Sequence, residues 1–207
     1  MLDLLSKNNF ILVLDILYMG ALVTMLWAYK TKADFVLICF FILAIIVLRI
    51  TERLPLIKNL LMAFVISFVW NIIAKKQYGY GFHFIKVGGI NIMPFFAWGL
   101  GLFGLYVIYT HFQEWFKLKK WYQRFILFIM IYWTLLIMIE YIAYHLMKLR
   151  DIATKGYKGL PFIDCIHAPQ WMQISYFSLG LIYFVLITYV NRLKIRKILM
   201  LKINRTE

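Results

Sequence analysis

The chain reads as an all-α, polytopic integral membrane helix bundle, with six transmembrane helices and both termini cytoplasmic. Three observations lead there. First, the 207 residues are 64% hydrophobic and 19% aromatic but only 15% charged. A soluble domain is nearer half apolar and a quarter charged, so lipid must solvate much of this surface. Second, six apolar runs long enough to cross a bilayer alternate with short polar connections. Third, the net charge of +14 sits in short clusters beside those runs. That is the pattern of membrane flanks, and no nucleic-acid partner is expected. No linker rich in Pro, Gly or Ser divides residues 1–207, and no internal repeat is visible, so one transmembrane domain is expected. Cys39 lies in an apolar run and Cys165 in a connection. Two such cysteines make no disulfide framework, and both are expected to be free thiols.

The elements follow in order. Residues 10–28 are apolar except for Asp15. Lys7 before an apolar run resembles a signal peptide, but no small-residue cleavage site follows, and a retained helix is expected. Asp15 is costly in a membrane and should face other helices as a satisfied structural acid near the cytoplasmic end. Residues 35–50 form the second span, with Arg49 able to snorkel to the interface. Thr51 to Pro55 make a tight connection, and Pro55 suits a helix start because its missing N–H would be unpaired there anyway. Residues 56–74 are the third span. Its end carries Trp70, expected as a headgroup anchor, and Asn71, able to bond a neighbouring helix.

The connection over 75–89 contains Tyr78-Gly79-Tyr80-Gly81-Phe82-His83-Phe84. Glycines between rings let the backbone turn tightly, either in an interfacial aromatic belt or as a lip over a pocket. Residues 91–112 form the fourth span, with Pro94 in its first turns. Gly99, Gly101 and Gly104 leave a smooth stripe that admits a packed helix or a lipid chain. Residues 113–124 are basic and aromatic, an interfacial connection beside which His111 should be solvated. Residues 125–147 form the fifth span and contain Glu140. Residues 171–190 form the sixth. The basic tail over 192–207 is expected on anionic lipid headgroups.

Six spans place 14 basic residues on the side of the termini and 9 on the other. The richer side is cytoplasmic, so both termini are expected inside, in a prokaryotic plasma membrane. Asn71, Asn91, Glu140 and His145 then lie at similar depth toward the outer face, near the connections holding His83, Asp164 and His167. Tyr141 and Tyr144 frame the group. A carboxyl held in an apolar pocket keeps its proton near neutral pH and can deliver it. A neighbouring Asp or His can position water, and aromatic rings can stabilise a cation formed between those steps. The bland alternative is an intramembrane Glu bonded to Asn, Tyr or His to fix helix packing. A metal held by His83, His145, Asp164 and His167 is a further alternative. No paired-His motif supports it, so no metal is expected.

The runs Tyr78-Gly79-Tyr80-Gly81-Phe82, Asn91-Ile92-Met93-Pro94-Phe95-Phe96-Ala97-Trp98 and Gly156-Tyr157-Lys158-Gly159-Leu160-Pro161 resemble motifs of the carotenoid hydratases, membrane proteins that add water to terminal double bonds of long carotenoids. The resemblance covers residues 78–170. The chain departs from the pattern at Trp70-Asn71, where the family has an acid, and at Asp164 to His167, where it has an Asn-Phe-x-Gly-Trp sequence. The resemblance implies a helix bundle acting on a long isoprenoid without a redox cofactor. Glu140 would donate a proton and Asp164 would orient water as base. Asn71, Tyr80, His83, Asn91, Trp98, Tyr141, Tyr144, His145, Tyr157 and His167 would contact the substrate. The rival classes are an enzyme acting on another membrane lipid and a non-enzymatic packing subunit or small-solute carrier, possible as a homo-oligomer. The inner half of the membrane offers only Asp15 and a few hydroxyls, which argues against a transport path.

Overall fold

The computed structural model describes residues 2–80, 82–151 and 154–203, with side chains described over residues 9–191 of these. It is a bundle of six helices: α1 Leu2–Ala28, α2 Ala33–Ile50, α3 Ile57–Ala74, α4 Ile92–Trp115, α5 Trp121–Tyr141 and α6 Gln170–Ile203. Each contains a segment long and apolar enough to cross a membrane. The expected spans are all present, with shifted ends. Helix α4 runs on to Trp115 and α5 starts at Trp121, so the connection expected over 113–124 shrinks to residues 116–120. Rings that suit the headgroup level sit on helix ends as readily as in loops. Of the basic tail, α6 carries the backbone to Ile203. Side chains beyond residue 191, residues 204–207 and Gly81 of the aromatic-glycine run lie outside the described residues.

One small departure from pure helix appears before α4. Strands β1 Lys86–Val87 and β2 Ile90–Asn91 pair as an antiparallel hairpin. Gly88 and Gly89 both have positive φ, +57° and +79°, the two-residue turn that a twisted hairpin needs. Asn91 then caps α4. Its backbone is extended and its side-chain oxygen accepts from the Met93 N–H at 3.2 Å.

Helix α4 is the hub. It packs most extensively on α3 and also touches α1, α2 and α5. The glycine stripe is used in two ways. A side chain at Gly99 would meet the Phe64 ring of α3 at 2.8 Å, and one at Gly104 would meet Met19 of α1 at 2.7 Å. Both positions are close helix contacts. Gly101 has nothing within 4 Å of where a Cβ would stand.

Each end of the bundle is tied by an acid. At one end Asp15 of α1 holds Arg53 in two hydrogen bonds of 2.7 Å and His111 of α4 at 2.8 Å. His111 is therefore a partner inside the bundle, and not the solvated helix-end residue expected. At the other end, Asp34 in the first turn of α2 accepts from Phe35 N–H and from Ile85 N–H, both at 2.9 Å. That fixes the hairpin over α2. At the same end Gly79 N–H donates to Asp151 Oδ1 at 2.8 Å, and Tyr80 bridges to Asp151. The connections after α3 and after α5 thus meet.

Candidate functional site

Between α1, α4 and α5 lies a cavity of about 260 Å³. Its long wall is apolar: Met19, Leu22 and Leu26 from α1 face Leu135, Leu136 and Ile139 from α5. Gly101 forms part of the α4 floor, which is why no neighbour stands near it. The α4 lining runs from Met93 to Leu105, roughly 18 Å along a helix. At the end tied by Asp34, the lining turns polar with Glu140, Asp151, Thr154 and His167, ringed by Tyr78, Tyr80, Trp98, Tyr144 and Tyr176.

Helix α5 delivers Glu140 to that boundary and then changes geometry. Residues Ile142–Leu146 are a π-helical turn, with the Met147 N–H donating to Ile142 O at 2.9 Å. Such wide turns recur at functional sites. Here the turn lets Tyr144 stack on His167, 4.3 Å between ring centroids, and take the Arg150 guanidinium at 4.6 Å. Glu140 makes no hydrogen bond and no ion pair among the described residues.

The aromatic wall is hydrogen-bonded from behind. The indole N–H groups of Trp70 and Trp98 donate to the Tyr78 hydroxyl at 2.8 and 2.9 Å. That hydroxyl lies 3.2 Å from the Tyr176 hydroxyl. Trp70 is only 4% exposed, so it is a core residue and not the headgroup anchor expected. The chain folds back after α3 and lays Tyr78 over the helix end, where the indole needs an acceptor. The Tyr132 hydroxyl donates to the Tyr176 carbonyl. Burial pushes the ionisation of Tyr78 and Tyr80 well above the usual phenol range, so both remain neutral donors.

The connection over 156–168 closes this end under strain. Phe162, Asp164 and Ile166 all have positive φ, +70°, +48° and +57°. Non-glycine residues there cost about 1–3 kcal/mol each. Gly159 admits the return of the loop, since a Cβ would stand 3.0 Å from both the Cys165 carbonyl and the His167 ring. The Gln173 amide of α6 pins the loop by donating to Lys158 O at 2.9 Å and Ala168 O at 3.0 Å. The result is that Ile166 and His167 line the cavity. Cys165 is buried beneath, and burial pushes its thiol up to about 11, which keeps it an unreactive thiol. Cys39 and Cys165 are both free.

Of the residues singled out in the sequence, Glu140, Tyr80, Trp98, Tyr144 and His167 share the cavity. Asp164 does not line it: its side chain is 73% exposed and pairs with His167 at 3.1 Å. The positive φ at Asp164 turns it outward, which corrects its placement as the base beside Glu140. The second carboxyl on the cavity is Asp151. His145 lies against Tyr141 and holds the Asp164 carbonyl at 2.9 Å, so its Nε2 carries a hydrogen. Asn71 is buried and donates to Ser67 O in its own helix at 2.8 Å. Asn91 is spent on its cap, and His83, Tyr141 and Tyr157 are exposed. None of these six lines the cavity. No group of three metal-ligating side chains gathers among the described residues.

Sequence reasoning passed over Tyr78, Asp151 and Tyr176. Asp151 sits in a run with Lys148, Arg150 and Lys155 and reads as one charge of a solvated spacer. Tyr176 is one aromatic among many in α6. Comparison with family models, curated proteins and solved structures returns no match.

Proposed function

We propose that the chain is a membrane enzyme that takes an unsaturated isoprenoid chain into the cavity between α1 and α5 and protonates one of its double bonds through Glu140. The observation that carries this reading is the Glu140 carboxyl, without a partner among the described residues, at the point where an apolar slot meets a polar, aromatic-ringed end. In the hydration, the Glu140 carboxyl proton bonds to one alkene carbon and leaves a cation on its neighbour. A water oxygen bonds to that cation and releases a proton to a carboxylate, Glu140 or Asp151. In the isomerisation, the cation instead returns a different proton to Glu140. The rings of Tyr80, Trp98, Tyr144 and Tyr176 offer π faces to the cation. Under this reading both termini are cytoplasmic, the membrane is a prokaryotic plasma membrane, and the catalytic end opens outward.

The test uses purified protein in lipid nanodiscs with an unsaturated isoprenoid in deuterated water. Deuterium should enter carbon positions of the product. Glu140→Gln should fold normally, bind the isoprenoid and lose turnover by roughly 10²- to 10⁴-fold, the range of a general acid. Unchanged deuterium incorporation in Glu140→Gln would overturn the assignment.

A further inference from the structure

The hydrogen bonds behind the aromatic wall have a direction, and it can be read without seeing a proton. An indole N–H can only donate. Trp70 and Trp98 both donate to the Tyr78 oxygen, at 2.8 and 2.9 Å, so its two acceptor sites are filled. At the 3.2 Å contact between the two phenols, Tyr78 must therefore be the donor and Tyr176 the acceptor. The Tyr176 hydrogen is then left over. No described residue accepts it, and the open side of Tyr176 is the cavity that it lines. Donation from Tyr78 also polarises the Tyr176 O–H and strengthens it as a donor. Burial of Tyr78 keeps that hydroxyl protonated and the relay intact.

We infer that Tyr176 is a ligand-binding donor, and that the isoprenoid held in this cavity carries an oxygen acceptor, an alcohol or carbonyl, at its polar end. The apolar tail lies along the α1–α5 slot over Gly101, and the oxygen sits beside Tyr176 near Glu140. This inference rests on the reading of the cavity as an isoprenoid site and adds a class of substrate to it. A pure hydrocarbon offers the Tyr176 hydrogen no acceptor, a loss that discriminates against it.

The experiment measures binding to Glu140→Gln protein, so that turnover cannot intervene. The probes are geranylgeraniol, the corresponding aldehyde, and the matched hydrocarbon without oxygen. The alcohol and the aldehyde should both bind more tightly than the hydrocarbon, by roughly three- to ten-fold, the effect of one neutral hydrogen bond. The aldehyde matters because it accepts without donating. Tyr176→Phe in the same background should bring the three probes together and leave hydrocarbon affinity unchanged. Equal binding of all three to the parent protein overturns the inference without any variant, as does a preference that survives Tyr176→Phe. Binding of none of the probes overturns the isoprenoid cavity itself and this inference with it. Retained turnover in Glu140→Gln, by contrast, removes the proton-transfer step and leaves the Tyr176 preference standing.

Discussion

At one end of the seam between α1 and α4, Asp15 meets Arg53 in two hydrogen bonds and His111 in a third. At the other end, Glu140 faces the cavity that α1 walls and meets no partner among the described residues. Both acids stand well inside apolar spans, where an ionised carboxylate costs about 2.5–3.5 kcal/mol at a helix centre. Asp15 offsets that cost with a bidentate guanidinium, the strongest geometry available to it. Glu140 does not. The comparison separates an acid that holds a fold from an acid that a fold holds ready. It also explains how α1 can stay in place with only 11% of its span buried, against 56% for α4. The Asp15 cluster fixes one end of α1, and the other end is free to wall a cavity.

The largest effect should come from replacing each acid with leucine. Asp15→Leu leaves Arg53 with an uncompensated charge, and removing one partner of a buried pair costs about 3–5 kcal/mol. Glu140→Leu breaks no bond and fills apolar space, so stability should hold or rise. Thermal unfolding in a defined detergent gives both numbers. Equal losses would erase the distinction between the two acids. A double variant, Asp15→Leu with Arg53→Met, should recover most of the Asp15→Leu loss, because both charges are then gone.

Much of this was legible in the chain. The six spans follow from local hydropathy, which needs no tertiary information. Glu140 was legible because an acid in an apolar run is rare and costly. Asp15 was read correctly as a satisfied acid, but its partners were not, since Arg53 and His111 are brought to it only by packing. The same holds for Tyr78. Its role depends on the chain folding back after α3 so that two indoles converge on one hydroxyl, and no spacing in the sequence encodes that. Asp164 misled for the opposite reason. Its residue type suited the chemistry, while the backbone turn that points it outward is set by the loop closure at Gly159.

A smaller effect should separate the cavity floor from the packed faces of α4. Gly101→Leu puts a side chain into the slot where no atom stands within 4 Å of the Cβ. Binding of an isoprenoid chain should fall at least about ten-fold, the scale of a few lost methylene contacts, with no loss of thermal stability. If affinity is unchanged, the chain does not lie over Gly101.

The smallest effect is also the most local comparison: alanine at Gly99 against alanine at Gly101. Both residues lie in the interior of α4, so the backbone preference is the same for each, about 1 kcal/mol in favour of alanine. What differs is the space. At Gly99 the new methyl would stand 2.8 Å from the Phe64 ring, closer than carbon atoms tolerate. That ring is itself wedged among Phe41, Phe95 and Phe96, so it cannot swing aside cheaply. Overpacking of this kind costs about 1–3 kcal/mol, which exceeds the helix preference and makes Gly99→Ala destabilising. At Gly101 nothing opposes the preference, and Gly101→Ala should be neutral or stabilising by a few tenths to about 1 kcal/mol. The two variants should therefore shift the unfolding temperature in opposite directions. A loss at both positions would mean that the floor of the cavity is packed in the membrane, and the slot proposed for the substrate chain would be filled by protein.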